Sequence, residues 1–207
     1  MTWRRTLAVL ATLVALLPAG GAWAGPATDQ LHQSVDHVLK VLEDPELRKD
    51  RRSAERRAAI RAIANQIFDF AAISQRALGR HWPARTPAER DEFIRLFGDL
   101  LERSYIAKIE GYTGERILYT GESADGDLVT VRTRIVTRQG TEVPVDYKMS
   151  AQGERWRAYD VHIEGVSLVA NYRTQFNAII SRASFEELIT RLKAKRDERP
   201  EPPRQAP

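Results

Sequence analysis

The apolar positions of this chain follow a helical period, then a period of two, then a helical period again. Leu31, Val35, Val38, Leu39 and Leu42 recur at intervals of three and four after a Thr28-Asp29 start, which predicts one face of a helix. Asp44-Pro45 ends it. Ile60, Ile63, Ala64, Ile67 and Phe68 form a second stripe on a segment whose first half is strongly basic. Phe70 to Leu78 continues helically and stops at Gly79, a residue suited to end a helix. Thr86-Pro87-Ala88-Glu89 predicts a sharp start: threonine caps, proline fits the first helical position, and glutamate closes a capping box. Phe93, Leu96, Phe97, Leu100, Leu101 and Tyr105 then line one side as far as Gly111, a helix about 36 Å long.

Beyond Gly111 the spacing becomes two. Glu115 to Thr120 reads as a short strand, and Asp125-Gly126-Asp127 as a turn. Leu128 to Arg138 carries Val129, Val131 and Ile135 on one face. Glu142 to Ser150 carries Val143, Val145, Tyr147 and Met149, and Arg155 to Ile163 carries Tyr159, Val161 and Ile163. The connections Gln139-Gly140 and Gln152-Gly153 are short enough to make an antiparallel meander. Its second face, with Arg132, Arg134, Asp146, Lys148 and Asp160, is polar and expected to be wet. After Gly165, Val166 to Ser181 aligns Val169, Tyr172, Phe176 and Ile180 on a helix, and Ser184 to Glu187 opens a last one. The expected class is α+β, a twisted antiparallel sheet with helices packed on one face.

The ends read differently. Arg4 and Arg5, an apolar run from Leu7 to Leu17, the breakers Pro18 and Gly20, and Ala22-Trp23-Ala24 have the order of a secretory signal peptide with a cleavage site. The run is too short for a membrane span, which needs about 20 apolar residues. Three segments are therefore expected: a signal peptide at 1–24, one folded domain at 25–197, and a disordered proline-rich tail at 198–207. Export implies an oxidising compartment, yet the chain has no cysteine, so the core alone holds the fold. Thiolate metal sites and cysteine nucleophiles are excluded. The formal net charge is +4, and two of those charges are Arg4 and Arg5. The remaining basic clusters, Arg48 to Arg52 and Arg191 to Arg199, are interleaved with acids and read first as solvated faces.

Candidate chemistry is sparse. His32 and His37 do not share a helix face, and His81 is isolated. His162 lies two residues from Asp160, on one face of a strand, but no serine sits in a nucleophile motif beside them. No phosphate loop, dinucleotide fingerprint, zinc or calcium motif is present, so no cofactor, metal or catalytic residue is assigned. The chain offers apolar surface instead. Whether that surface closes into a core or leaves a ligand cavity is open from periodicity alone. Tyr105, Tyr147, Met149 and Tyr172, large or amphipathic, are hints of a cavity.

Two stretches add a resemblance. Ala77-Leu78-Gly79-Arg80-His81-Trp82 is followed by Thr86-Pro87-Ala88-Glu89-Arg90-Asp91-Glu92-Phe93, and Trp156-Arg157-Ala158-Tyr159-Asp160-Val161 runs into Glu164-Gly165-Val166-Ser167-Leu168-Val169-Ala170-Asn171-Tyr172-Arg173. Both resemble the MlaC family, the toluene-tolerance type of periplasmic lipid carrier, over nearly all of the expected mature chain. The resemblance implies a nuclear transport factor 2-like half barrel whose helices enclose a deep apolar cavity. It implies a non-enzymatic periplasmic shuttle of phospholipids, and a shuttle that must leave both partners is expected to be a monomer. Its implied partners are an inner-membrane ABC transporter bearing an MCE ring and an outer-membrane lipoprotein–porin complex. A hopanoid cargo, an enzyme on the same scaffold using Asp160 and His162 or Asp146, and a ligand-free adaptor docking through Arg48 to Arg61 are the alternatives.

Burying a methylene contributes about 0.8 kcal/mol, so a sixteen-carbon tail needs an apolar wall worth about 12 kcal/mol. The expected sheet wall is Val145, Tyr147, Met149, Val161 and Ile163. The expected helical walls are Phe97, Leu101 and Tyr105, and Val166, Val169 and Tyr172. Arg80, Lys148 or Arg173 are candidates to meet a headgroup, with a plain surface role the simpler reading of each.

Overall fold

A computed structural model describes residues 25–197. The expected signal peptide at 1–24 and the tail at 198–207 lie outside the described residues. The helices come first: α1 (Pro26–Glu43), a short 3-10 turn, α2 (Ser53–Ile67), α3 (Phe70–Leu78) and α4 (Pro87–Glu110). The sheet follows as β1 (Arg116–Asp125), β2 (Leu128–Val136), β3 (Glu142–Gln152), β4 (Arg155–Ile163) and a two-residue β5 (Val166–Ser167). Then α5 (Leu168–Arg182) and α6 (Phe185–Asp197) return. The five strands are antiparallel neighbours in chain order, an open meander.

Local signals explain most boundaries. The Thr86 hydroxyl accepts from the Glu89 N–H at 3.3 Å while the Glu89 carboxylate accepts from the Thr86 N–H at 2.7 Å, so α4 starts with both halves of its box made. These bonds hold the Glu89 carboxyl below its usual range. Gly79 ends α3 with a φ of 52°, a conformation that disfavours side chains. Between α2 and α3 the chain breaks where the helical pattern had read on: Phe68 is extended, bridges to Ala158, and Asp69 caps α3 by accepting from the Ala72 N–H at 2.9 Å.

α1 begins at Pro26, two residues before the expected start, and its Gly25 cap supplies no side chain. Glu122 on β1 supplies one from afar. Its carboxylate accepts from the Thr28 N–H at 2.8 Å and the Thr28 hydroxyl at 2.6 Å. A Cβ on Gly25 would meet that carboxylate, which would have to shift to make room.

Two bulges reset the sheet. Pairing slips between Tyr119 and Gly121 on β1, and opposite Lys148 and Met149 on β4. β1 therefore runs to Asp125, five residues beyond the expected strand. On β4 the extra residue is Tyr159. Ala158, not Tyr159, pairs with Met149 and is buried, whereas Tyr159 joins Lys148, Asp160 and His162 on the outer face with Arg76 stacked 4.2 Å over its ring. The expected inward alternation of Tyr159 with Val161 and Ile163 is corrected accordingly.

Two apolar cores result. One is helical: Phe93, Phe97, Phe176, Phe185 and Leu188, from α4, α5 and α6, with Ile73, Ala77 and Leu78 of α3. The other lies under α1 and α2 against the sheet: Ala27, Leu31, Ile67, Val129, Val131, Met149 and Ala158. Phe68 packs against both.

Candidate lipid-binding cleft

The inner face of the sheet reads as four rungs, because cross-strand partners point to the same side. The first rung, at the β1–β2 turn end, is Val129, Met149 and Ala158. The second is Glu122, Val131, Tyr147 and Val161, and the third is Tyr119, Thr133, Val145 and Ile163. The fourth is Ile117, Ile135 and Val143. The first rung is wholly buried beneath α1 and α2. In the second and third, Val131, Thr133 and Val145 are buried while Tyr119, Tyr147, Val161 and Ile163 are only half-buried. Every member of the fourth rung is half-buried. The sheet is thus sealed at one end and uncovered at the other.

The helical candidates lie on α4 and α5. The first half of α4 is locked into the helical core, where Phe97 packs 5.0 Å from Tyr172 and 5.0 Å from Phe176 between ring centres. Its second half, with Tyr105, Ile106 and Ile109, stays half-buried or exposed. Salt bridges tie that half to α2. Arg56 and Arg57 both donate to Glu110 at 2.8 Å, and Arg61 donates to Glu102 at 2.6 Å. Burial alone would raise the Glu110 carboxyl, but hydrogen bonds from both guanidinium groups outweigh it and hold the group below its usual range.

Of the sequence-predicted wall, Val145 (5% exposed), Tyr147, Val161 and Ile163 come together on adjacent rungs. Leu101, Val169 and Tyr172 gather on the α4–α5 side with Tyr105 packed against them. Two residues are too deep: Phe97 and Met149 are each 0% exposed and fully enclosed by the two cores. Val166, 61% exposed, sits outside on β5. Ile117, Tyr119, Ile135 and Val143 also face inward and were not assigned to the wall. Ile117 and Tyr119 alternate in the same register as Thr133 and Ile135, a signal readable only once β1 and β2 are paired.

The polar candidates resolve elsewhere. Lys148 is on the outer face, donating to Thr130 at 2.9 Å beside a shallow hollow of about 340 Å³. Arg80 donates to Ser181 at 3.3 Å on the helical side. Asp160 is an anchor. It accepts from the Ser167 hydroxyl at 2.6 Å, from the Val169 N–H at 3.0 Å and from its neighbour Val161, with His162 at 3.3 Å. The Ser167 hydroxyl in turn accepts from Ala170 N–H at 2.9 Å and caps α5. These bonds fasten the strand-to-helix junction and explain why the helix expected from Val166 starts at Leu168. Among the described residues no cluster of His, Asp and Glu is arranged to hold a metal, and no helix is long and apolar enough to cross a membrane.

A meander of five antiparallel strands with helices packed against its inner face defines an α+β protein of half-barrel form. The profile of the MlaC protein family matches residues 32–194. The chain belongs to the MlaC family. The intermembrane phospholipid transport system binding protein MlaC of Haemophilus influenzae is 24% identical over 138 residues, 63% of this chain. That match spans 64% of the relative, just under two thirds of its length. The structure of the phospholipid-binding protein from Ralstonia solanacearum in complex with a phospholipid superposes with a TM-score of 0.71 at 28% identity, over 82% of this chain and 96% of that one.

Proposed function

We propose that this chain is a periplasmic carrier that holds phospholipid acyl chains in the cleft between sheet and helices. The observation that carries this reading is the grading of the inner face. Apolar side chains on successive rungs pass from buried to half-exposed along the inner face. Water against such a wall is unfavourable by about 25 cal/mol per Å², and an acyl chain replaces it. The wall comprises Val145, Tyr147, Val161, Ile163, Leu101, Tyr105, Val169 and Tyr172, with Ile117, Ile135 and Val143 at the mouth.

The family membership and the phospholipid-bound neighbour support the cargo. The chain carries rather than transforms it: the carboxylate nearest to a histidine, Asp160, is engaged by Ser167 and Val169 on the far side of β4. Residues 1–24 act as a cleaved signal peptide in this reading. The carrier works as a monomer between an inner-membrane MCE-type ABC transporter and an outer-membrane lipoprotein–porin complex.

The test is native mass spectrometry of mature protein purified from bacterial periplasm without detergent, followed by lipid extraction. The expected result is a mass increment that extraction identifies as glycerophospholipid. A hopanoid in its place would change the cargo and keep the carrier. No adduct, even after incubation with liposomes, would overturn the reading.

A further inference from the structure

Two arginine-rich regions of the fold are neutralised very differently. On α2, Arg52, Arg56, Arg57 and Arg61 each bond to a glutamate, at 2.6 to 2.8 Å. Around α3 and α5 there is no acid to bond. No aspartate or glutamate occurs from Phe70 to Ala88, which covers α3 and the turn after it, or from Gly165 to Phe185, which covers α5. The same stretches carry Arg76, Arg80, Arg173 and Arg182, all exposed, and none of these four makes an ion pair among the described residues. Arg85 also lies there and reaches past the end of its stretch to Glu89 at 3.2 Å.

The fold gathers the four on one face. α5 presents Arg173, Asn177 and Ser181 at intervals of four, a single stripe along the helix. The end of α3 lies along that stripe. The Arg173 side chain lies over Gly79, His81 bonds Asn177 at 3.0 Å, and Arg80 donates to Ser181 at 3.3 Å. Arg76 stands one turn before Gly79, and Arg182 follows Ser181. From Arg173 to Arg182 the charges are strung over about 14 Å of helix axis rather than gathered around one point. Like charges side by side repel, and an external array of negative charge relieves that.

What the face lacks identifies the partner. The large apolar side chains exposed among the described residues are Ile109, Leu118, Leu128 and Val166, and none lies on α3 or α5. The exposed residues between the arginines of α5 are polar, and Ile179 and Ile180 turn in to the helical core. Trp82 is half-buried with Arg90 stacked 5.1 Å over its ring, so it offers no anchor either. A stable protein interface is centred on a desolvated apolar or aromatic anchor. An anionic bilayer needs none: its surface potential attracts each nearby arginine, about fivefold in binding per charge.

We propose that the α3–α5 face docks the protein reversibly on anionic phospholipid bilayers through Arg76, Arg80, Arg173 and Arg182. The inference goes beyond the cargo of the cleft and stands whether or not the cleft is filled.

The test is co-sedimentation of the full mature protein with phosphatidylcholine vesicles, with and without phosphatidylglycerol, read as protein in the pellet. Wild type is expected to pellet with the anionic vesicles, to stay in solution with the neutral ones, and to be released as salt shortens the Debye length. The fourfold variant Arg76→Gln/Arg80→Gln/Arg173→Gln/Arg182→Gln should bind about a hundredfold more weakly. A control of equal net charge, Arg48→Gln/Arg51→Gln/Arg116→Gln/Arg155→Gln, removes four exposed arginines elsewhere and should lose far less. A thermal melt of each variant checks that it is folded. Wild type that ignores phosphatidylglycerol overturns the inference without any variant, and would leave the face to an acidic protein. Equal losses in the two folded variants overturn it too, because net charge rather than this face would then govern binding.

Discussion

The two ends of the inner sheet face are built from similar residue types and differ in what covers them. At the β1–β2 turn end, Val129, Met149 and Ala158 lie under α1 and α2, and Gln30 of α1 fixes the cover by exchanging hydrogen bonds with the Trp156 backbone at 2.6 and 2.8 Å. At the other end, Ile117, Ile135 and Val143 are just as apolar but half-exposed, and none of them belongs to either buried core. Hydrophobic patterning therefore states that a face is apolar, not whether it is core or binding wall. The covering element decides, and it decides separately for each rung.

The comparison can be broken first by truncation at each end. Met149→Ala should cost about 2–5 kcal/mol in a urea titration, because the sealed end cannot collapse around a lost side chain. Val143→Ala should cost less than about 1 kcal/mol, because that side chain already meets solvent. Equal losses at the two positions would mean that both ends are core.

A smaller effect is expected at the clasp between α2 and α4. Removing the carboxylate in Glu110→Gln leaves two partly buried arginines short of their acceptor and should cost about 2 kcal/mol at pH 7. The folded-state Glu110 carboxyl is depressed, so its contribution is present above the unfolded value, about 4.3, and is lost as pH falls through the folded value. Wild type should thus lose stability between pH 5 and lower pH more steeply than Glu110→Gln, and parallel curves would remove the clasp from the account. The smallest effect belongs to the packed half of α4. Thr86→Ala opens the capping box and should cost about 1 kcal/mol with lipid occupancy unchanged, as measured by denaturation and lipid extraction of the same preparation.

Helices and turns were legible in the sequence wherever the determinant was local. The capping box at Thr86 and Glu89, the stop at Gly79 and the turns at Gly126, Gly140 and Gly153 are all properties of a few adjacent residues. What the pattern missed depends on a second strand. A bulge adds one residue to one partner, so the inward set changes from even (Ala158) to odd (Val161, Ile163) across Tyr159, and from odd (Tyr119) to even (Glu122) on β1, with no local sign except an isolated glycine at 121. The inward orientation of Val145, Tyr147, Val161 and Ile163 was readable by alternation, while the full enclosure of Phe97 and Met149 follows from packing by α5, α1 and α2, elements distant in sequence. Tyr119 escaped notice because its neighbours in space are 14 and 28 residues away, Thr133 and Tyr147.

The Glu122 cap on α1 carries a consequence for the order in which this molecule is assembled. α1 is the first described helix, yet the carboxylate that satisfies its opening turn arrives 94 residues later. Until the β1–β2 hairpin exists, the first turn of α1 frays, since no side chain within the helix replaces that acceptor. The first described helix is thus among the last elements to be completed, and the sealed end of the sheet closes only after the hairpin beneath it has formed.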